Sequence, residues 1–254
     1  MAVKRALITG ASMGLGAAFA AILAGDGWEL VTVDRQPHDN DDAHSSAAAR
    51  FQCELSDPAE VTRLLEGLEQ GEGFDLVILN AGANATGRFE AIDPDVIPRL
   101  VHLNAFAPMA LAAGFANAGK LKAGSHLLFI SSLSHFTGYP GASAYAGTKD
   151  AIAIYAKSIR KPFAAKGISV SCAFPGPLRT THAERHAPTG AQAEKRMLPE
   201  EAAEKIVAAT LAGKKTIIPG LGPKLFSIAG RAFPRITSRV MRHLIYDRLD
   251  REVW

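Results

Sequence analysis

The chain has 254 residues, of which 48% are hydrophobic and 21% are charged, and its net charge is +3. This composition excludes a disordered, collagen-like or fibrous protein, and the small charge excess gives no sign of a nucleic-acid partner. A chain of this length can bury one large core, so we expect a single domain over residues 1–254.

Short β-rich runs alternate with longer segments of helical period, a pattern typical of a parallel sheet with helices on both faces. The predicted strands, in chain order, are Lys4–Thr9, Glu29–Asp34, Arg50–Leu55, Leu76–Asn80, Ser125–Ser131, Ser169–Phe174 and Thr216–Pro219. The predicted helices between them are Gly14–Gly25, Pro58–Glu69, Pro94–Ala118, Ser143–Lys166 and Pro199–Ala212. We therefore predict an α/β fold of three layers, with a doubly wound parallel sheet of the Rossmann type.

Two segments interrupt this alternation. Residues 35–49 stand where a second helix is expected but are rich in Asp, His, Ser and Ala, so that helix should be short or absent. Residues 178–198 have no period and follow a predicted strand end, where open α/β sheets bind ligands. We interpret them as a mobile lid over the substrate.

The apolar run after Met1 is too short for a signal peptide, and no stretch approaches the ~18 apolar residues of a membrane span. We therefore expect no membrane span and a cytoplasmic protein. Cys53 and Cys172 lie in or beside apolar runs and have no partner at metal-ligand spacing, which favours buried, inert thiols. No metal site is predicted.

A glycine-rich turn follows the first predicted strand and leads into an Ala-rich helix. Glycines 10, 14 and 16 permit a tight turn and a close approach of the backbone to a pyrophosphate, which would face the free amides of the helix start. A turn that merely allows a bend is the alternative. The flanking strand and helix favour nucleotide binding, with contacts from the loop residues Gly10, Ser12, Met13, Gly14, Leu15 and Gly16.

The choice of cofactor depends on two adjacent residues at the end of the second predicted strand. Asp34 stands near the spacing at which a carboxylate meets the adenosine ribose hydroxyls, although an Asp there could instead start a turn. Arg35 could hold a 2′-phosphate. Met13 in the glycine loop adds no positive charge, so the charge available to such a phosphate is one Arg, not two. We predict NAD as the preferred cofactor, with NADP as the alternative.

Tyr145 and Lys149 stand near the start of a predicted helix, where their i, i+4 spacing places them on one face. A phenol is a weak base at neutral pH, but a cation one turn away should lower its pKa, as proton transfer requires. An exposed Tyr/Lys pair of no function is the alternative if these residues are considered alone.

These motifs and others occur along the chain in the order found in the short-chain dehydrogenase/reductase family, and the chain resembles the compact single-domain branch of that family. The turn at Gly10, Gly14 and Gly16 is similar to the family's TGxxxGxG loop, and Asn80-Ala81-Gly82 to its NAG element. Further matches are the helix Asn104, the catalytic Ser132, the Tyr145/Lys149 pair, and Pro175-Gly176 with Thr180 beside the nicotinamide.

The resemblance implies the roles of the catalytic residues. Ser132 would bind the substrate oxygen, Tyr145 would exchange its proton, and Lys149 would hold the nicotinamide ribose and lower the Tyr pKa. Asn104 would hold a water in the proton relay, although an Asn that kinks a helix or binds backbone is the alternative. Glu54, where the family commonly has Asp, and Leu55 would contact adenine.

The resemblance implies an oxidoreductase that transfers a hydride between a nicotinamide cofactor and a carbonyl or secondary alcohol of hydrophobic character. A cofactor-sensing binding protein would need only the glycine loop, and a nucleotide-sugar epimerase or dehydratase is a third alternative. A homodimer or homotetramer is expected, formed through the helices Pro94–Ala118 and Ser143–Lys166, which are rich in Ala, Phe and Ile.

Other candidates have weaker signals. His102, His135, His182 and His186 lack metal-ligand spacing and are interpreted as loop or solvent-facing residues, although His135 could line the substrate pocket. The C-terminal extension 221–254 is basic and amphipathic. It could cap the substrate pocket, pack across a subunit interface or contact a membrane surface peripherally.

Overall fold

The fold was analysed in a computed structural model, which describes residues 3–36, 47–186 and 193–249. Within these ranges, seven parallel strands form one sheet in the order β3-β2-β1-β4-β5-β6-β7. The strands are β1 (Arg5–Thr9), β2 (Glu29–Asp34), β3 (Ala49–Gln52), β4 (Phe74–Leu79), β5 (Leu121–Ile130), β6 (Ser169–Ala173) and β7 (Thr216–Ile217). The order reverses between β1 and β4, and ligands of such sheets bind at the carboxyl ends of the strands at this switch point.

Helices follow the strands. They are α1 (Gly14–Gly25), α2 (Pro58–Glu69), α3 (Val96–Val101), α4 (Ala107–Asn117), α5 (Ser134–Thr137), α6 (Ser143–Ala164), α7 (Thr181–Arg185), α8 (Pro199–Leu211), α9 (Leu221–Ala232) and α10 (Pro234–Leu244). A π turn, His102–Phe106, joins α3 to α4, and short 3-10 turns occupy Ala193–Lys195 and Tyr246–Arg248.

Successive side chains of the central strands pack on opposite faces of the sheet. Leu7 of β1 lies in a core with α2, α4 and α6, whereas its neighbours Ala6 and Ile8 lie in a second core with α1 and α8. Because both faces are covered, the strands are apolar along almost their whole length. The predicted three-layer, doubly wound fold is confirmed.

The observed boundaries differ from the predicted ones where tertiary contacts decide them. Strand β5 begins at Leu121 rather than Ser125, because Leu121 pairs with Phe74 before a register shift in β4. The predicted helix Pro94–Ala118 contains the π turn, which no sequence signal indicated. The lid segment 178–198 contains α7 and the turn Ala193–Lys195, so it is less irregular than expected. Residues 37–46 and 187–192, which belong to the two interrupting segments, lie outside the described residues.

One helical segment, Val96–Asn117, is long and apolar enough to cross a membrane by length and composition alone. No segment of this length and composition was expected from the sequence. In the structure, Leu111 and Phe115 of this segment are buried in the core with α2 and α6. Packing against the sheet is therefore sufficient to account for its apolar composition.

Candidate active site

The glycine loop between β1 and α1 is packed so closely that only glycine fits at two positions. A Cβ on Gly16 would lie 1.8 Å from the carbonyl oxygen of Gly10, and one on Gly10 would lie 2.8 Å from Cα of Ala81. Gly10 also has a φ of 67°, which favours glycine. Met13 at the N-cap of α1 makes no side-chain cap hydrogen bond, and the first turn contains no acidic residue. These features fit a pyrophosphate at the helix N-terminus.

Asn80 connects the glycine loop to the end of β4. Its side-chain Nδ2 donates to the carbonyls of Thr9 (3.1 Å) and Gly10 (3.0 Å). In return, Thr9 Oγ1 accepts from the backbone N–H groups of Asn80 (3.0 Å) and Ala81 (3.1 Å). The Asn-Ala-Gly element thus fixes the shape of the loop that the sequence assigned to the cofactor.

Asp34 ends β2 and is almost fully buried, with 7% of its surface exposed. Its two carboxylate oxygens accept from the backbone N–H groups of Ser12 (3.1 Å) and Gln36 (3.3 Å). The carboxylate is therefore held next to the glycine loop. Arg35, which follows it, is exposed and lines a cavity of about 440 Å³ together with Gln52 and Glu54.

The two predicted adenine contacts are engaged within the protein. Glu54 Oε1 accepts hydrogen bonds from the N–H (3.1 Å) and the hydroxyl (2.8 Å) of Ser56. Leu55 belongs to the core and is 4% exposed. In this arrangement the side chains of both residues serve the local fold, and contact with adenine remains a prediction.

Ser132 and Tyr145 come together although they lie on different elements. Ser132 follows β5 and Tyr145 lies in the first turn of α6, and the Ser132 hydroxyl lies close enough to the Tyr145 phenol to lower its pKa. Burial raises the pKa of Tyr145 to about 12, and the hydrogen bond from Ser132 only partly opposes this effect. The net lowering of the Tyr145 pKa that was expected from Lys149 is therefore wrong, because removal of the phenolate from water outweighs its stabilisation by Ser132.

Lys149 is 5% exposed and lies one turn after Tyr145. Its Nζ donates to the carbonyl of Ile130 (3.0 Å) and lies 5.8 Å from the centroid of the Tyr145 ring. Burial lowers the pKa of Lys149 to about 8. The Lys149 side chain can thus change between ammonium and neutral amine close to neutral pH.

Asn104 lies in the π turn and is 1% exposed. Its Oδ1 accepts from the N–H of Ala83, and its Nδ2 donates to the carbonyl of Ala83, each at 2.9 Å. Nδ2 also lies 3.0 Å from Thr148 Oγ1, which donates to the carbonyl of Tyr145. The alternative of a backbone-binding Asn is therefore observed, and these contacts connect Asn104 to the start of α6.

Two hydroxyl residues that were not predicted as site residues hydrogen-bond to the start of α6, which carries Tyr145 and Lys149. The hydroxyl of Thr148 accepts a hydrogen bond from Asn104 and donates one to the carbonyl of Tyr145. The hydroxyl of Ser131 donates to the carbonyl of Lys149 at 2.9 Å. Both stand next to a predicted catalytic residue, Thr148 before Lys149 and Ser131 before Ser132. That adjacency was the only available signal, and it does not by itself indicate a role.

Residues 4–190 match the model of the short chain dehydrogenase family. The chain belongs to this family. The dehydrogenase is 32% identical over 190 residues to Protein FixR of Bradyrhizobium diazoefficiens, covering 70% of this chain and 68% of that protein. It is therefore an oxidoreductase that transfers a hydride with a nicotinamide cofactor, and the alternative of a non-catalytic sensor is set aside.

Solved structures agree with this assignment. The bulky-bulky ketone specific alcohol dehydrogenase of Comamonas testosteroni is 27% identical to this dehydrogenase, with a TM-score of 0.75 over 87% of this chain and 88% of that one. A short-chain dehydrogenase of Sphingobium yanoikuyae, solved with NADPH, is 24% identical, with a TM-score of 0.74 over 91% and 94% of the two chains. The second likeness shows the fold.

Residues 175–180, which follow β6 of the dehydrogenase, contact both the loop after β5 and the glycine loop. The carbonyl of Pro175 accepts from the N–H of Leu133, next to Ser132. A Cβ on Gly14 would lie 3.4 Å from Cγ2 of Thr180, so Thr180 contacts the glycine loop. The predicted residues at 175–180 thus lie between the glycine loop and Ser132.

The histidines of the dehydrogenase differ from the expectation. His186 follows α7 in a turn, as a loop residue would, but it is buried with its Nδ1 2.9 Å from Thr86 Oγ1, so the solvent-facing alternative is wrong for it. His135 Nδ1 lies 2.6 Å from Asp150 Oδ1, and the ring packs on Phe174. These contacts explain the position of His135 without a role in the substrate pocket. The side chain of His182 lies outside the described residues.

Both cysteines are buried and free, as predicted. Burial raises the pKa of Cys53 to about 11 and that of Cys172 to about 12, so both thiols stay protonated at neutral pH. Over residues 3–36, 47–186 and 193–249, no three His, Cys, Asp or Glu side chains are grouped as metal ligands.

Proposed function

We propose that the enzyme interconverts a ketone and a secondary alcohol, with Tyr145 as the proton donor and acceptor. The grouping of Ser132, Tyr145 and Lys149 supports this proposal most directly, since Lys149 Nζ lies 5.8 Å from the Tyr145 ring centroid and the Ser132 hydroxyl acts on the Tyr145 phenol. When bound, the nicotinamide cofactor supplies or accepts the hydride. Ser132 binds the substrate oxygen, and Lys149 holds the nicotinamide ribose.

The pKa values suit proton donation by Tyr145 at neutral pH. With a pKa of about 12, the phenol keeps its proton until negative charge develops on the bound substrate oxygen. Lys149, with a pKa of about 8, can then return a proton to Tyr145. A Cβ on Gly82 would lie 3.1 Å from both Asn104 Oδ1 and Lys149 Nζ, so these atoms flank one point. We assign to Asn104 the holding of a water in this relay.

The substrate is a bulky, hydrophobic ketone or alcohol. The Comamonas enzyme, which is specific for bulky-bulky ketones, supports this class by its 27% identity over most of both chains. A panel of ketones and secondary alcohols, followed by the absorbance of the reduced cofactor, tests the proposal. We expect turnover to rise with the size of both ketone substituents. Absence of turnover for every ketone and alcohol with both cofactors would contradict it.

We expect NAD(H) to be preferred over NADP(H) on the order of tenfold, or about 1.4 kcal/mol. The buried carboxylate of Asp34 would repel a 2′-phosphate, and the exposed Arg35 would only partly compensate. The Sphingobium dehydrogenase of the same fold was solved with NADPH, so the preference expected here rests on Asp34 and Arg35 and not on the fold.

Steady-state kinetics with both cofactors measures this preference. Asp34→Ala should erode or reverse it, and Arg35→Ala should increase it. Because Asp34 also binds the N–H of Ser12, Asp34→Asn serves as a control that removes the charge and retains an acceptor. A wild-type preference for NADP(H) would mean that Arg35 outweighs the carboxylate.

The predicted homodimer or homotetramer has support on the surface of α3, the π turn and α6. Ile97, Val101, Phe106 and Ile154 are between 41% and 57% exposed, as expected of a second apolar face on these helices. Sedimentation should give a multiple of the 26.9 kDa chain mass, and Ile154→Asp should shift it toward the monomer. A wild-type monomer at micromolar concentration would contradict this prediction.

Four further predictions concern the organisation and the location of the chain. That residues 1–254 form one domain is supported by the single sheet, which includes all the described strands. The lid at 178–198, the C-terminal extension at 221–254 and a cytoplasmic location stay predictions. The family model, which is that of the short chain dehydrogenases, gives no support to the epimerase or dehydratase alternative.

A further inference from the structure

Helices α9 and α10 and the 3-10 turn after them form residues 221–249, which we call the C-terminal hairpin. The two helices carry a row of exposed apolar side chains. These are between 42% and 78% exposed and recur at helical spacing: Leu221, Leu225, Ile228, Phe233, Ile236 and Val240. A soluble monomer rarely exposes so many large apolar side chains on one short segment. This face therefore calls for an apolar partner.

The charge of the hairpin is strongly one-sided. Residues 221–249 contain six Lys or Arg and a single acidic residue, Asp247, so they carry +5 while the whole chain carries +3. The rest of the chain is therefore net negative. Arg242 lies 3.7 Å from Asp247, whereas Lys224, Arg235 and Arg239 form no ion pair within the described ranges. Their charge is available to an anionic partner.

The hairpin lies over the loops that carry the catalytic residues. A Cβ on Gly230 would lie 2.3 Å from the carbonyl oxygen of Phe136, and the Arg231 guanidinium lies 4.5 Å from the Phe136 ring centroid. Phe136 belongs to α5, which begins two residues after Ser132. A Cβ on Gly176 would lie 3.4 Å from Pro223 at the start of α9. The apolar row is thus fixed beside the substrate side of the site.

A second copy of the chain fits this face poorly. In a two-fold contact, the same patch meets itself, so the arginine rows of the two copies would face each other with little acidic charge between them. A surface of anionic phospholipids matches both features, because apolar side chains enter the acyl region and Lys and Arg contact the headgroups.

We propose that the C-terminal hairpin docks the enzyme on an anionic lipid surface and that the substrate is an amphiphilic ketone or alcohol taken from that surface. The part about the substrate rests on the proposed function. Docking would place the loops after β5 and β6 at the bilayer, so that an apolar substrate reaches Ser132 and Tyr145 without crossing water.

Vesicle co-sedimentation of the full-length enzyme tests the docking without any assay of activity. The vesicles contain phosphatidylcholine, alone or with about a third of phosphatidylserine, at low and at physiological salt. We expect binding to the anionic vesicles that weakens with salt. Two double variants, Leu225→Glu with Ile228→Glu and Arg235→Glu with Arg239→Glu, should each bind at least tenfold more weakly.

Two surface changes outside the hairpin serve as matched controls. Val3→Glu changes an exposed apolar residue and Lys166→Glu an exposed basic one, and both should bind vesicles like the wild type. No binding of the wild type to anionic vesicles at low salt would overturn the proposal. Equal binding to neutral vesicles would overturn the role of the arginines. Self-association that the hairpin variants abolish would assign the face to a second copy.

Activity separates this proposal from the proposed function. The hairpin variants should reduce a water-soluble ketone at the wild-type rate and a vesicle-embedded ketone several-fold more slowly. A wild type that reduces no ketone but binds anionic vesicles would contradict the proposed reaction and leave the docking intact. Equal rates of the variants on the embedded ketone would contradict delivery from the lipid.

Discussion

Replacing Tyr145 by phenylalanine should lower kcat by roughly a thousandfold, the scale expected for loss of a general acid. The change removes only the hydroxyl, so the ring keeps its place against Tyr139, 6.5 Å away between centroids. Cofactor affinity should therefore stay within about twofold of the wild type. Steady-state kinetics gives kcat, and quenching of protein fluorescence on cofactor binding gives the affinity.

Tyr139→Phe is a matched control for this change, because it removes a buried phenol whose ring lies beside that of Tyr145 and which has no assigned role in proton transfer. It should retain turnover within a few-fold of the wild type. Turnover by the Tyr145→Phe enzyme close to the wild-type rate would mean that another group exchanges the substrate proton.

Replacing Lys149 by methionine should damage both catalysis and cofactor binding. The substitution removes the ammonium 5.8 Å from the Tyr145 ring and the group assigned to the nicotinamide ribose. We expect kcat to fall about a hundredfold and the cofactor Kd to rise about tenfold, as for loss of a charged hydrogen bond. The fold should survive, because burial of the charged form is itself unfavourable.

Lys120→Met controls for the loss of any buried lysine. Lys120 Nζ donates to the carbonyls of Glu69 and Gly71 at the amino end of β5, whereas the site lies at its carboxyl end, so this variant should lose stability but keep its cofactor affinity. Unchanged cofactor affinity in Lys149→Met would show that Lys149 does not bind the ribose.

The stability of the wild type should depend on the same lysine. Burial lowers the pKa of Lys149 from 10.5 to about 8. Between these values, the folded enzyme binds fewer protons than the unfolded chain, so the contribution of Lys149 makes stability rise with pH. Thermal unfolding of Lys149→Met over this range should lack that contribution.

Local sequence signals predicted much of the fold and the grouping of the site. The bounds of α1 and α2 agree with the structure, because Gly or Pro marks their starts and an apolar period follows. The Tyr145/Lys149 spacing likewise follows from helix geometry. The net shift of the Tyr145 pKa could not be predicted, because it depends on burial by residues distant in the sequence.

The sequence could not predict the features that depend on contacts between residues far apart in the chain. The pairing of His186 with Thr86 joins residues a hundred positions apart, and no local pattern reveals it. The sequence indicated an amphipathic C-terminal segment but left three roles for it open. The direction of its exposed side chains depends on the packing of Gly230 and Arg231 on Phe136, which is almost a hundred residues away in the sequence.

The π turn allows one helical segment to serve two separate apolar clusters. In an uninterrupted α-helix, Leu100 and Leu111 would point in nearly the same direction, about 20° apart around the axis. The additional residue of a π turn rotates everything after it by about 100°. Leu100 accordingly packs with Ala85 and Tyr145, whereas Leu111 enters the core with α2 and α6. The π turn therefore lets the residues before it pack beside Tyr145 while the residues after it pack on the sheet.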